Sequence, residues 1–88
     1  MATKTKEKPI DEVKLGHIVA AIWRNVSDKA VRFNVTFYRL YRNGDDWKRS
    51  DSFGRDDLLL LAKVVDLTHT RIYELQAEER SQEADEDE

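Results

Sequence analysis

The chain has 88 residues, no Cys and a formal net charge of −3. This length indicates one domain, and a domain so small buries only about 60% of its unfolded surface. The absence of Cys excludes disulfides, and two His residues without a thiolate do not make up the usual ligand set of a structural zinc site. We therefore expect the fold to gain stability by oligomerisation.

No segment has the composition of a signal peptide or a transmembrane helix, because the longest uncharged apolar run is far below ~18 residues. We expect an intracellular, cytoplasmic protein, associated with the nucleoid if the source is bacterial. A catalytic pattern is also missing, since His17 and His69 have no partner at a recognisable spacing and the glycines are isolated. We expect neither an enzyme nor a bound cofactor or metal.

The N-terminal half predicts strands. Residues 1–13 are polar and contain Pro9, which predicts a disordered arm. Residues 14–25 are apolar at both odd and even positions, which predicts a strand with both faces partly covered. Residues 31–42 alternate more clearly, with Phe33, Val35 and Phe37 on one side and polar residues on the other.

A hairpin signal follows. Residues 43–46 read Asn-Gly-Asp-Asp, and Asn-Gly accepts the positive φ that a tight turn needs. Residues 47–53 are predicted to return as the next strand. These segments make at least three antiparallel strands, and the N-terminal half is long enough to hold a fourth.

From residue 54 the apolar period becomes helical. Asp56 and Asp57 fall in the first turn, where carboxylates meet free N–H groups. A heptad-like stripe follows, formed by Leu58, Leu61, Val65, Thr68, Ile72 and Leu75. A second apolar row lies beside it, formed by Leu60, Val64 and Leu67. We favour helix-to-helix homodimerisation through the stripe, and the alternative is a helix seated deeply on its own sheet.

The predicted fold class is therefore α+β, with a twisted antiparallel sheet of about four strands followed by a long C-terminal helix. The domain is expected to span residues 14–77. Past Ala77 the apolar pattern ends, and residues 78–88 are predicted to form a disordered acidic tail, because acidic residues are unfavourable at the negative end of a helix dipole.

Charge is distributed unevenly along the chain. Residues 14–55 hold nine Lys or Arg against four Asp, whereas residues 73–88 hold one Arg against eight acidic residues. A basic body thus carries an acidic tail. The tail has three interpretations: it keeps the protein soluble, it competes with nucleic acid for the basic surface, or it recruits a basic protein.

Basic and aromatic residues concentrate on the predicted hairpin. Single-stranded nucleic acid is typically bound by cations that follow the phosphates and by aromatic rings that stack on bases. The candidate residues are Arg32, Tyr38, Arg39, Tyr41, Arg42, Trp47, Lys48 and Arg49. Two alternatives stay open. The rings pack across strands while the cations solubilise an edge, or the hairpin belongs to a non-enzymatic interaction module and binds an acidic protein.

The order of elements resembles the positive-cofactor-four family of single-stranded-DNA-binding transcriptional coactivators and their bacterial and phage relatives. The resemblance rests on the strand "FNVTFY", the turn "NGDDWK", the returning "SDSF" and the helix start "GRDDLLLLAKVV". It implies a homodimer made through the helices, with sheets and hairpins that bind single-stranded DNA or RNA in transcription regulation or DNA maintenance. By position it implies DNA-facing roles for Arg32, Tyr38, Arg39, Arg42, Trp47, Lys48 and Arg49. The family's basic, Ser-rich arm has no counterpart here, because the cations of residues 1–13 are balanced by acids.

Overall fold

Four antiparallel strands form one sheet in the order β1-β2-β3-β4, and a long helix packs on one face of it. The computed structural model describes the backbone of residues 8–86 and the side chains of residues 8–81. Most of the predicted N-terminal arm, residues 1–7, and the last two residues of the predicted tail lie outside the described residues. The α+β fold with four strands and a C-terminal helix is the predicted one, and the prediction is confirmed.

The first two strands, β1 (Asp11–Leu15) and β2 (Ile18–Val26), are joined by a two-residue turn. Gly16 has a φ of +61°, and a Cβ at this position would lie 3.1 Å from Leu60 Cδ2, so both conformation and space favour glycine here. The sequence predicts one strand over residues 14–25, whereas the turn at Gly16 divides this run in two. The fourth strand, which the sequence left unplaced, is β1.

The hairpin joins β3 (Val31–Asn43) to β4 (Asp46–Ser50), as predicted. Gly44 has a φ of +66°, and no residue other than glycine has a positive φ among the described residues. A positive φ at the first loop position alone matches a type II′ turn rather than the type I′ turn that Asn-Gly usually signals. The loop therefore begins at Gly44, and Asn43 pairs with Asp46 as the last rung of the ladder.

The helix begins after a single 3₁₀ turn, Arg55–Asp57, and α1 spans Leu58–Glu86. Asp57 accepts the backbone N–H of Gly54 at 2.9 Å, which caps this start. The sequence predicts that the helix ends past Ala77, but it continues nine residues further. Strong helix formers fill this stretch, and the Arg24–Glu79 ion pair (2.6 Å) ties its first turn to β2.

The core lies between α1 and the first two strands. Ile18, Ala20 and Val64 are fully buried and form its centre. We call the sheet face that carries Ile18 and Ala20 the inner face, and the opposite one the outer face. Residues 18–22 of β2 are all buried, so this part of the strand is covered on both faces, and α1 packs on the inner one. Among the described residues, no helix combines the length and apolarity that a membrane crossing requires.

Candidate functional site

The eight predicted binding residues divide between the two faces of the sheet, because successive side chains of a strand point to opposite faces. The register of β3 with its neighbours fixes the assignment. The outer face carries Arg32, Tyr38, Arg42, Trp47 and Arg49. The inner face carries Arg39, Tyr41 and Lys48. The structure therefore brings five of the predicted residues together on one surface and places the other three behind it.

Two guanidinium groups lie over aromatic rings on the outer face. The Cζ atom of Arg49 lies 4.4 Å from the ring centroid of Tyr38, and that of Arg42 lies 5.6 Å from the ring of Trp47. The second pair is directly cross-strand, since Arg42 pairs with Trp47 in the ladder. Such cation–π contacts hold an Arg side chain in one orientation at low entropic cost. Trp47 is 63% exposed and Tyr38 is half-buried, so the Arg42–Trp47 pair is the more accessible of the two.

Trp23 extends the outer face, although it is not among the eight predicted residues. It lies on β2, and its indole N–H donates to Thr36 Oγ1 at 2.9 Å. It pairs in the ladder with Asn34, on the same face as Tyr38. Its place could have been predicted from the alternation of side chains along β3, because residues that pair between β2 and β3 lie on the same face. The outer face thus displays Trp23, Tyr38 and Trp47 along the sheet.

The cations of the two faces differ in their partners. On the inner side, Arg24 pairs with Glu79 at 2.6 Å and Arg71 of the helix pairs with Asp11 at 2.5 Å. Within residues 8–81, by contrast, no carboxylate lies within ion-pair distance of the outer-face cations Lys14, Arg32, Arg42 and Arg49. Arg24 and Arg71 hold the fold together, whereas the outer-face cations, and Lys48 on the inner face, have no carboxylate partner within residues 8–81 and keep their capacity for an external anion.

Arg39 is also a cation whose partners lie within the fold. Its Nε atom donates to the carbonyl oxygen of Ser52 at 2.5 Å and lies 3.7 Å from Asp57 Oδ2. Its guanidinium lies 5.5 Å from the ring centroid of Tyr41 on the same face. These contacts hold the chain that leaves β4 against the base of the hairpin. Arg39 therefore has a structural task that Arg42 and Arg49 do not have.

Asp57 joins three segments at the start of the helix. Its carboxylate lies 2.7 Å from His17 Nε2 in the β1–β2 turn, and it also accepts the N–H of Gly54. The hydrogen bond from His17 is the largest cause that lowers the pKa of Asp57, followed by the backbone N–H of Gly54; the charge of Arg39 contributes less. Because its folded-state pKa lies below the unfolded value of about 4, ionised Asp57 stabilises the fold above that pH. This stabilisation is lost as the pH falls through the folded-state pKa.

We expect Asp57→Asn to lower the urea midpoint of unfolding at pH 7 and to make the loss of stability below about pH 4 shallower. Asp11, whose pKa is lowered mainly by its hydrogen bond with Arg71, retains part of the acid response. Asp56→Asn is the matched control, because this neighbouring side chain is 98% exposed and should leave the midpoint at pH 7 unchanged. Equal midpoints for the two variants at pH 7 would contradict the role given to Asp57.

The predicted dimer stripe of the helix has three environments. Thr68 and Leu75 are buried against the chain's own sheet, and the Thr68 hydroxyl donates to the Val64 carbonyl oxygen at 2.7 Å. Leu61 and Ile72 are half-buried. Leu58 and Val65 are exposed, at 50% and 44%. Only part of the stripe is therefore accessible, on the flank of the helix rather than on its sheet-facing side.

Residues 8–81 contain no group of three or more His, Cys, Asp or Glu side chains arranged to hold a metal ion. Comparison of the chain with protein-family models, curated proteins and solved structures found no match.

Proposed function

We propose that this chain is a homodimeric protein that binds single-stranded nucleic acid, most directly DNA, on the outer face of its sheet. One observation carries the proposal: Arg side chains without a carboxylate partner in residues 8–81 lie over two aromatic rings of the same face, the exposed Trp47 and the half-buried Tyr38. A chain with a net charge of −3 has no need of unpaired guanidinium groups for solubility. A polyanion with stacking bases satisfies both kinds of group.

The chemistry of binding follows from the two cation–π pairs. Arg42 and Arg49, already oriented by Trp47 and Tyr38, would donate to phosphate oxygens. The rings and the guanidinium planes would stack on bases, and each stacked base is worth roughly 1–3 kcal/mol. Every base has a π-face, so this surface accepts different sequences. Lys14 and Arg32 would neutralise further phosphates toward β1 and the start of β3.

The resemblance to the positive-cofactor-four family supports this proposal. It implied an antiparallel sheet, a basic hairpin and then a C-terminal helix, and the fold has its elements in that order. A function in transcription regulation or DNA maintenance is proposed on that resemblance alone.

The homodimer is proposed from the size of the domain and from its uncovered apolar surface. Leu58, Val65 and Tyr73 are 50%, 44% and 60% exposed on the helix, which is a large apolar exposure for so small a chain. A second copy that covered this flank would supply the stabilisation that a small core lacks.

We expect a fluorescent, mixed-sequence single-stranded oligonucleotide to bind, and the affinity to fall with added salt. If the four outer-face cations each contact a phosphate, log K against log salt should have a slope of about −3, since single strands give about −0.7 per contact. Fluorescence anisotropy at several salt concentrations measures this slope, and an unlabelled duplex competitor tests strand preference. No binding even at low salt would overturn the proposal and favour an acidic protein as partner of the hairpin.

A further inference from the structure

Strand β3 is longer than the strand that pairs with its outer edge. It spans Val31–Asn43, but β4 pairs only with Arg39 to Asn43. Residues 31–38 pair with β2 on one side, and no other strand of the described chain lies on the opposite side. The sheet therefore has an internal step, with a free strand edge eight residues long beside the hairpin.

The hydrogen-bonding groups of this edge can be assigned from both ends of β3. The Leu40 N–H donates to the His17 carbonyl, and the Ala30 carbonyl accepts from Ser27. The register is regular between these points, so even-numbered residues face β2. Val31, Phe33, Val35 and Phe37 consequently direct their N–H and C=O groups outward.

Free edges are usually protected by charge, proline or shortness, because they invite pairing with another strand. The other two edges of this sheet follow that rule, since β1 (DEVKL) and β4 (DWKRS) are five residues long and rich in charge. The free part of β3 has no proline, and residues 33–38, FNVTFY, carry no charge. This composition is typical of a strand that has a partner.

We propose that the free edge of β3 pairs antiparallel with the same edge of a second copy, about a two-fold axis at Asn34. This inference rests on the homodimer of the proposed function, and it does not depend on the nucleic-acid surface. It defines how the two copies meet: they pair strand to strand along β3, and this pairing brings the exposed flanks of their helices to the same interface.

The self-pairing is complementary on both faces. With Asn34 opposite Asn34, Val31 lies opposite Phe37 of the second copy, and Phe33 opposite Val35. Aromatic and β-branched residues form favourable cross-strand pairs, and here they fall on the inner, apolar face. On the outer face Arg32 lies opposite Thr36, so no like charges meet. This register uses residues 31–37 and leaves the hairpin ladder from Arg39 onward undisturbed.

The exposed helix flank lies on the same side of the molecule. Gln76, Glu79 and Arg80 line a cavity of about 240 Å³ together with Val31 and Phe33 of β3. The helix covers β1 and β2, so the inner side of β3 remains only half-covered. A second copy seated on the β3 edge would cover this inner side and the flank of the helix in one interface.

Asn34→Cys tests the pairing in the protein without nucleic acid. Directly opposite residues at a non-hydrogen-bonded position have Cα atoms about 4.5 Å apart, within disulfide range. The native chain has no Cys, so the introduced thiol has only its twin to react with. We expect mild oxidation to give a covalent dimer in non-reducing electrophoresis. Thr36→Cys is the control, since its twin would lie about 13 Å away along the strand.

A second variant tests the same pairing without a cross-link. Asn34→Asp places two carboxylates face to face, and we expect sedimentation velocity to show a shift toward monomer. Thr70→Asp, a change of an exposed helix residue outside β3, adds the same charge and should leave the dimer intact.

Three results would overturn the proposal: no cross-link with Asn34→Cys, equal cross-linking of both Cys variants, or a dimer that Asn34→Asp leaves unchanged. A chain that sediments as a dimer but fails the Asn34→Cys test would keep the homodimer of the proposed function and reject strand pairing. Oligonucleotide binding is measured separately, so its failure would leave the cross-linking result standing.

Discussion

We expect the Arg42→Ala/Arg49→Ala variant to bind a single-stranded oligonucleotide about 30- to 100-fold more weakly than the native chain. A hydrogen bond contributes about 0.5–1.5 kcal/mol net, and about 1.5 kcal/mol or more when its partner is charged, so we take about 2–3 kcal/mol for the two groups on this solvent-exposed face; 1.4 kcal/mol is a tenfold change. Both guanidinium groups lie over rings on the outer face, and neither has a carboxylate partner within residues 8–81. Their removal should therefore weaken binding without opening an internal ion pair.

The salt dependence separates a phosphate contact from a general effect on the fold. Loss of two phosphate contacts should make the slope of log K against log salt less steep by about 1.4. Arg55→Ala/Lys63→Ala is the matched control, because it removes the same charge from exposed helix-side residues. We expect this control to change affinity less than about threefold, through long-range electrostatics alone. If both double variants lost affinity equally, net charge would explain binding and the outer face would not be the site.

The alternation of side chains along β3 and β4 predicts which residues share a face, whereas the composition of the hairpin as a whole does not. The parity of β3 already separates Arg32, Tyr38 and Arg42 from Arg39 and Tyr41, and the turn at Gly44 fixes the parity of β4. Applied to the sequence, this rule would have divided the eight candidates into their two faces. It could not have predicted the partners of Arg39, because Ser52 and Asp57 reach it through the chain that leaves the sheet.

The fold was predictable where local chemistry determines it. Residues 31–50 alternate around a strong turn, and the helix begins at acidic residues, so β3 and the starts of β4 and α1 lie close to their predicted positions. The division of β1 from β2 was missed because Gly16 is a single turn signal within an apolar run. Pairs such as His17–Asp57 and Arg24–Glu79 join residues far apart in sequence, and no spacing rule predicts them.

The free edge of β3 exists because β3 is longer than β4, and the sequence did not predict this difference in length. Residues 47–53 were predicted as the returning strand, but β4 ends at Ser50 and the chain then crosses toward the helix. Phe53 leaves the ladder and packs against the core instead. This early exit leaves residues 31–38 unpaired on one side. Strand pairing between copies would place two outer faces in one continuous sheet, so that a single strand of nucleic acid could contact both.

The stability of the whole arrangement depends on a narrow core, and Ile18→Ala should show it. Ile18 is fully buried and forms the centre of the core together with Ala20 and Val64 of α1. Truncation of a buried Ile to Ala costs about 2–5 kcal/mol, and more when the site cannot collapse around the cavity. A small domain has about 5 kcal/mol to lose, so we expect a largely unfolded chain near physiological temperature.

Val26→Ala is the matched control for this prediction, because Val26 lies on the same strand and is 64% exposed. It should change the free energy of unfolding by less than about 0.5 kcal/mol. Urea titration followed by Trp fluorescence measures both, at one fixed protein concentration because a dimer makes stability depend on concentration. If Ile18→Ala cost no more than Val26→Ala, contacts between copies rather than the core beneath the helix would hold this sheet together. In that case Asn34→Asp, and not Ile18→Ala, should be the variant that unfolds the chain.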